Sequence, residues 1–298
     1  MNWIPVAIIA YFFGALSSVG DKFILNRIVT SPLVYTFYVG VLSAFAALLF
    51  PFDMVWSGMT QLLASLVVGM VFLFALLVLF SALKSGEASR VLPMVGGFTS
   101  VFVYLGSYAF LDERLTFMQL AALFFLVLGG IGIFIEPIEQ ADRRAWHNIL
   151  MSVLAAFLFG IFYILIKYVF MHQPFLSGFI WTRLGSFVGA LILLIPSANR
   201  ELIFNSVRAL NARAGGLFVA NKILAGLAFL ILNYAIYLGS ATLINALQGV
   251  QYFFVLALSL LLSAKMPQLF EEKITQGIVI QKITAVSLIG IGLALLVV

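Results

Sequence analysis

The chain carries one pattern twice. Glu113-Arg114-Leu115-Thr116 leads into an apolar stretch ending Leu128-Gly129-Gly130-Ile131-Gly132-Ile133. Glu272-Lys273-Ile274-Thr275 leads into a second, ending Leu288-Ile289-Gly290-Ile291-Gly292-Leu293. Phe13-Gly14 is likewise answered by Phe159-Gly160. Such a repeat confines the fold to two related halves, residues 1–140 and 141–298, that can enclose one shared centre.

The solvent of those halves is lipid. Only 9% of the residues are charged and 64% are hydrophobic, whereas a soluble domain has roughly 25% charged residues. A membrane crossing needs about 20 apolar residues. Ten such spans are expected, at 3–25, 32–52, 61–83, 89–111, 116–136, 148–171, 174–196, 215–238, 241–263 and 276–298. Met1-Asn2-Trp3 lacks the basic start of a secretory signal, so the first segment is expected to be a retained span. Residues 197–214, with Arg200, Arg208 and Arg213, read as a short amphipathic helix at the interface.

Orientation follows from Lys and Arg. Thirteen of the 16 lie in or beside the odd-numbered connections, and only Arg114, Lys167 and Arg183 fall on the even side. This count places the odd connections in the cytoplasm and both termini outside. The net charge of +5 is spread over short loops, so nucleic acid is not an expected partner.

Several chemistries are excluded. Cysteine is absent, which removes disulfides, thiolate metal sites and a cysteine nucleophile. The two histidines, His147 and His172, lie near loops. No GxxxxGK[ST], Gly-x-Ser-x-Gly or His-Glu-x-x-His occurs. No catalytic residue, metal or cofactor is expected, and ATP hydrolysis by a P-loop is not available. Gly129, Gly130 and Gly132 read as close helix-packing positions.

The informative residues are polar groups inside spans, which cost roughly 2.5–3.5 kcal/mol each when charged and so face a cavity or a partner. In the ninth span Thr242, Asn245, Gln248 and Tyr252 share a face at about 100° per residue, with Gln251 beside it. This stripe reads either as the lining of a substrate cavity or as interhelical hydrogen bonding that only holds the bundle. Sliding the sequence by 155 residues matches it to Glu87, Arg90, Pro93 and Gly97 in the fourth span, with Tyr104 further along that face. Glu87 and Arg90 can pair on the helix surface, as an interfacial ion pair or as a switchable pair at a cavity mouth.

Sliding by 146 matches Gly14, Ser17 and Asp21 to Gly160, Tyr163 and Lys167. An acid in one half thus answers a base in the other. They read as two alternating gates at opposite membrane faces, or as side chains that snorkel from span ends. Arg183 lies well inside the seventh span, where its fork suits a carboxylate or phosphate, or holds helix ends together. Lys222 reads as a snorkelling side chain.

The whole chain resembles the drug/metabolite transporter superfamily, in particular its EamA-like ten-helix bacterial transporters. The marks are the paired halves, Leu111-Asp112-Glu113-Arg114-Leu115-Thr116 after the fourth span, the glycine-bearing end of the fifth, Pro93, and Phe13-Gly14. The second half departs from the pattern, with Gln248 in place of the proline and extra residues before Glu272-Lys273. The resemblance implies two inverted five-helix repeats around a central cavity, in the bacterial inner membrane. It implies export or exchange of small solutes without ATP hydrolysis, and termini in the cytoplasm, opposite to the charge count.

The expected function is secondary transport of a small solute by alternating access, as a monomer or homodimer. Expected substrate contacts are Glu87, Arg90, Tyr104, Arg183, Asn245, Gln248, Gln251 and Tyr252; expected gating or proton-coupling groups are Asp21, Glu87 and Lys167. A translocase for a lipid-linked phosphate or sugar and a non-transporting scaffold are the alternatives.

Overall fold

A computed structural model describes residues 3–27, 31–52, 55–85, 88–132, 143–209, 212–263 and 276–297. The described residues form helices and short connections. Lipid cannot satisfy a free backbone N–H or C=O, so apolar segments of this length bond internally as helices.

The helices in chain order are α1 (Trp3–Arg27), α2 (Pro32–Ser43), α3 (Met59–Ser85), α4 (Ala88–Phe110), α5 (Phe117–Gly132), α6 (Arg143–His172) and α7 (Phe175–Leu193). They continue with α8 (Ser197–Ala209), α9 (Ala212–Leu238), α10 (Ala241–Ala246), α11 (Gln248–Ser263) and α12 (Gln276–Val297). Ser31 caps α2, its hydroxyl accepting from the Val34 N–H, and Pro32 occupies the first turn, where its missing N–H costs nothing. The chain then tightens into a 3-10 helix over Ala44–Phe52.

Among the described residues six helical segments are long and apolar enough to cross a membrane, and three shorter apolar ones are Met94–Phe110, Phe117–Gly132 and Ile283–Leu296. This is an all-helical membrane protein. The sequence predicts ten crossings; the difference has local causes. The expected ninth span is split at Leu247 into α10 and α11. The described apolar parts of the fourth, fifth and tenth segments are Met94–Phe110, Phe117–Gly132 and Ile283–Leu296, each shorter than a full crossing.

The tightest pairings are α5 with α12, α1 with α9, α3 with α6 and α7, and α4 with α6. Small residues set these distances. A Cβ on Gly69 would lie 1.9 Å from the Thr182 carbonyl oxygen, and one on Gly185 would lie 2.2 Å from that of Leu66. The Ser186 hydroxyl crosses the same contact to the Gly69 carbonyl at 2.9 Å. Where α5 meets α12, a Cβ on Gly129 would lie 2.7 Å from the Ala285 carbonyl oxygen. The glycines at the end of α5 are therefore packing positions. At mid-bundle Phe72 of α3, Phe162 of α6 and Phe229 of α9 form one aromatic cluster, with centroids 4.7 to 6.0 Å apart.

Candidate functional site

Helix α9 serves as a ruler through the polar groups. Lys222 lies toward its start and Gly239 just past its end, 17 residues apart (239 − 222), or about 25 Å at 1.5 Å per residue. Phe229 sits between them, seven residues beyond Lys222 (229 − 222) and seven before Ile236 (236 − 229). A polar cluster occupies each end, and a cation occupies the middle.

The first cluster gathers on one carboxylate oxygen. The Lys222 ammonium meets Asp21 Oδ1 at 2.7 Å. The Tyr35 hydroxyl donates to the same oxygen at 2.7 Å, and the Asn221 amide donates to it as well. Lys222 also lies 4.6 Å from the Tyr35 ring centroid and 5.8 Å from that of Phe218, a cation over aromatic faces. Its side chain is only 8% exposed, against 27% for Asp21. The reading of Lys222 as a snorkelling residue is therefore corrected: Asp21, Tyr35 and Phe218 wall it in. The approach is permitted by Gly20, where a Cβ would meet the Asn221 side chain at 2.2 Å. Below this cluster, Ile24, Val34, Phe80 and Ile203 pack as an apolar plug. Ile203 comes from α8, which is helical as the sequence predicts.

The second cluster lies at the other end of α9. The Lys167 ammonium donates to the Ile236 carbonyl at 2.9 Å and to the Gly239 carbonyl at 2.7 Å. It thereby closes the unsatisfied C-terminus of the helix. The Glu113 carboxylate accepts from the Ser240 hydroxyl, and from the Thr242 hydroxyl at 3.3 Å. Ser240 is also the N-cap of α10, accepting from the Leu243 N–H at 3.0 Å. Glu113 reaches this junction because Asp112 takes a left-handed conformation, φ 52°. The Glu113 N–H then returns to the Ser107 carbonyl at 3.1 Å. The exposed pair of Arg114 and Asp112 at 2.8 Å is solvated and contributes little.

Between the ends lies Arg183. One of its Nη2 hydrogens goes to the Ser43 hydroxyl oxygen. Its Cζ is 5.1 Å from the Phe72 ring centroid and 4.8 Å from that of Phe229. No carboxylate pairs with it among the described residues.

The polar stripe of the expected ninth span is divided by the break at Leu247. There the Ile244 carbonyl accepts the buried Tyr11 hydroxyl at 2.5 Å, and Val250 N–H bonds back three residues to Leu247 at 2.9 Å. Asn245 and Gln248 line a recess with Gly96, Gly97, Ser100 and Gly130. The Asn245 amide donates to Ala241 at 2.8 Å, the Tyr252 hydroxyl to Leu92 at 2.7 Å, and the Gln251 amide to Ser18 at 3.1 Å. Gly96 admits the tyrosine, since a Cβ there would lie 1.9 Å from the Tyr252 hydroxyl. Tyr104 is half-buried on α4 with its ring 6.3 Å from that of Tyr108. Glu87 and the side chain of Arg90 lie outside the described residues. Among the described residues there is no group of three or more metal-ligating acids and histidines.

Of the residues expected from sequence, Asn245, Gln248 and Tyr252 share one recess, Asp21 and Lys167 lie in separate clusters, and Arg183 stands apart from both. Sequence reasoning missed Tyr35 and Glu113 as members, while Asn221 stands out in the sequence beside Lys222. A signal for Glu113 exists: the repeat places an acid, Glu272, at the matching position.

No protein-family model matches this chain, and no curated protein matches it. Among solved structures 28 chains match. One, titled only as the crystal structure of a protein, aligns with a TM-score of 0.65 at 17% identity, over 97% of this chain and 94% of that one. At that identity the likeness shows a shared fold.

Proposed function

We propose that the chain is a secondary transporter of a small solute, working by alternating access without ATP hydrolysis. Ten crossings form two inverted five-helix halves, residues 1–140 and 141–298, in a bacterial inner membrane, as in EamA-like members of the drug/metabolite transporter superfamily. Helix pairing supports the repeat. Exchanging the first span with the sixth and the third with the eighth turns the α1–α9 contact into the α6–α3 contact, and both are extensive.

The observation that carries the proposal is the pair of polar bridges about 25 Å apart along α9. Asp21 with Lys222 is one gate; Lys167 and Glu113 on the α9–α10 junction form the other. Lys222 and Asp21 join different halves, and Glu113 ties the first half to Ser240 and Thr242 of the second, so releasing either bridge opens one end. Asn245 and Gln248 contribute substrate contacts from the recess. A scaffold is the second reading, favoured by the hydrogen bonds that already satisfy much of Thr242, Asn245 and Tyr252.

The test needs no substrate. Ser17 lies one turn deeper than Asp21 on the same face and is 4% exposed. The chain has no cysteine, so Ser17→Cys is a clean single probe. In sealed vesicles of each orientation, an impermeant maleimide labels this residue slowly. Adding Asp21→Asn raises the labelling rate at least tenfold, from one membrane face only. Equal protection in both backgrounds sinks the gating assignment and favours the scaffold.

A further inference from the structure

We infer that the transported solute is a monocarboxylate with an apolar or aromatic body, and that Arg183 receives its carboxylate. The inference rests on the transporter reading and names the substrate class of its centre. Arg183 sits near the middle of α7, Phe175–Leu193, and its guanidinium lies against Phe229 at the midpoint of the α9 ruler. A cation at that depth faces a partner or a cavity.

The interior charges leave it over. Lys222 is taken by Asp21. Lys167 is held by the Ile236 and Gly239 carbonyls. Among the described residues Arg183 has only Ser43, whose own proton goes to the Val39 carbonyl at 2.8 Å. A guanidinium has five N–H donors in one plane, so four are unspent. The two phenyl rings near Cζ compensate the charge weakly and offer no lone pair.

A planar fork with several free donors is the complement of a carboxylate, which takes two parallel bonds. One uncompensated positive charge matches one negative charge, so a dianionic phosphate ester is the poorer fit. The surroundings specify the rest of the molecule. Phe72 and Phe229 flank the cation, and Phe162 and Phe179 pack against those two rings, so a solute carrying a benzene ring or branched aliphatic group meets ring surface there and strands no polar atom.

The experiment measures thermal unfolding of the purified full chain in detergent at constant ionic strength. The probes are benzoate, phenylacetate and 3-phenylpropionate, with their neutral amides, acetate and phenyl phosphate. A ligand that binds only the folded state raises the melting temperature with its concentration. At least one aryl carboxylate gives a saturable rise of a few degrees, its amide gives none, and acetate gives less. The rise disappears in Arg183→Gln and is weakened in Arg183→Lys, which keeps the charge and loses the fork. Should Arg183→Gln fail to fold, the ranking of acid over amide in the unmodified protein decides alone.

The inference is overturned if the amides match the acids, if phenyl phosphate exceeds every carboxylate, if no carboxylate acts, or if the rise survives Arg183→Gln. Silence of the carboxylates with an Asp21-dependent Ser17→Cys signal removes the substrate class and keeps the transporter. Loss of that cysteine signal removes the transporter reading itself.

Discussion

Removing the two partners of the Asp21–Lys222 pair one at a time has unequal consequences. Asp21→Asn leaves an ammonium that is 8% exposed beside two aromatic rings, with no counter-charge. Breaking a buried pair from one side costs about 3–5 kcal/mol. Lys222→Met leaves a carboxylate that is 27% exposed and still accepts from Tyr35 and Asn221. Its cost is that of one lost charged bond, about 1–3 kcal/mol. The double variant has neither orphan, so it is more stable than Asp21→Asn alone: the coupling between the two changes, up to about 3 kcal/mol, exceeds the cost of Lys222→Met by itself. The order of melting temperatures in detergent is therefore unmodified, then Lys222→Met and the double variant, then Asp21→Asn. The stranded ammonium can also reach water by opening that end instead of unfolding the chain. A bias of about 3 kcal/mol changes the open-to-closed ratio roughly a hundredfold. Part of the loss then appears as exposure of Ser17 and not as a lower melting temperature. Strictly additive single variants, or Asp21→Asn as stable as Lys222→Met with Ser17 still protected, refute the reasoning.

Two further predictions concern glycines. Gly69→Ala places a Cβ 1.9 Å from the Thr182 carbonyl oxygen and forces α3 from α7, lowering stability by about 1–3 kcal/mol; Gly226→Ala, with nothing within 4 Å, leaves the melting temperature unchanged or slightly higher. Gly96→Ala strikes the Tyr252 hydroxyl, and Tyr252→Phe in the same chain restores part of the loss because the struck atom is gone. Absence of that rescue in a melting series means the Tyr252 hydroxyl is not what Gly96 accommodates.

What could be read from the sequence was what repeats locally. Apolar stretches located most helices, and the 146-residue offset placed Asp21 and Lys167 at matching positions that the fold puts near opposite ends of α9. What converges over long separations was not legible. Tyr35, Asn221 and Lys222 meet on one oxygen across as many as 201 residues, and Lys222 alone looked like a snorkelling side chain near a span end. Glu113 follows the end of α4, where helical periodicity stops; only the left-handed Asp112 turns it back onto Ser240. The break at Leu247 has no proline to announce it. It falls one residue before Gln248, the position that the 155-residue offset matches to Pro93. A buried tyrosine, Tyr11, bonds a carbonyl at that break.

The two ends differ in what opening them costs. A buried ion pair is close to break-even, because its desolvation is recovered when water returns. Opening the Asp21 end separates such a pair, gives up the Asn221 bond to the same carboxylate, and gives both charges water. Opening the Lys167 end gives up two ammonium–carbonyl bonds and two carboxylate–hydroxyl bonds, each a bond to a charged group worth about 1.5–3 kcal/mol. It also uncaps the C-terminus of α9. Without substrate the Asp21 end therefore opens more often. Tyr163 is to Lys167 what Ser17 is to Asp21, one turn deeper on the matching helix. Ser17→Cys is labelled faster from the Asp21 face than Tyr163→Cys is from the Lys167 face. Adding Lys167→Met, which removes two of those four bonds, raises the Tyr163→Cys rate and lowers the Ser17→Cys rate, because the two openings exclude one another. If both rates rise together, the bundle is loosening as a whole, and the two bridges are stabilising contacts with no alternation between them.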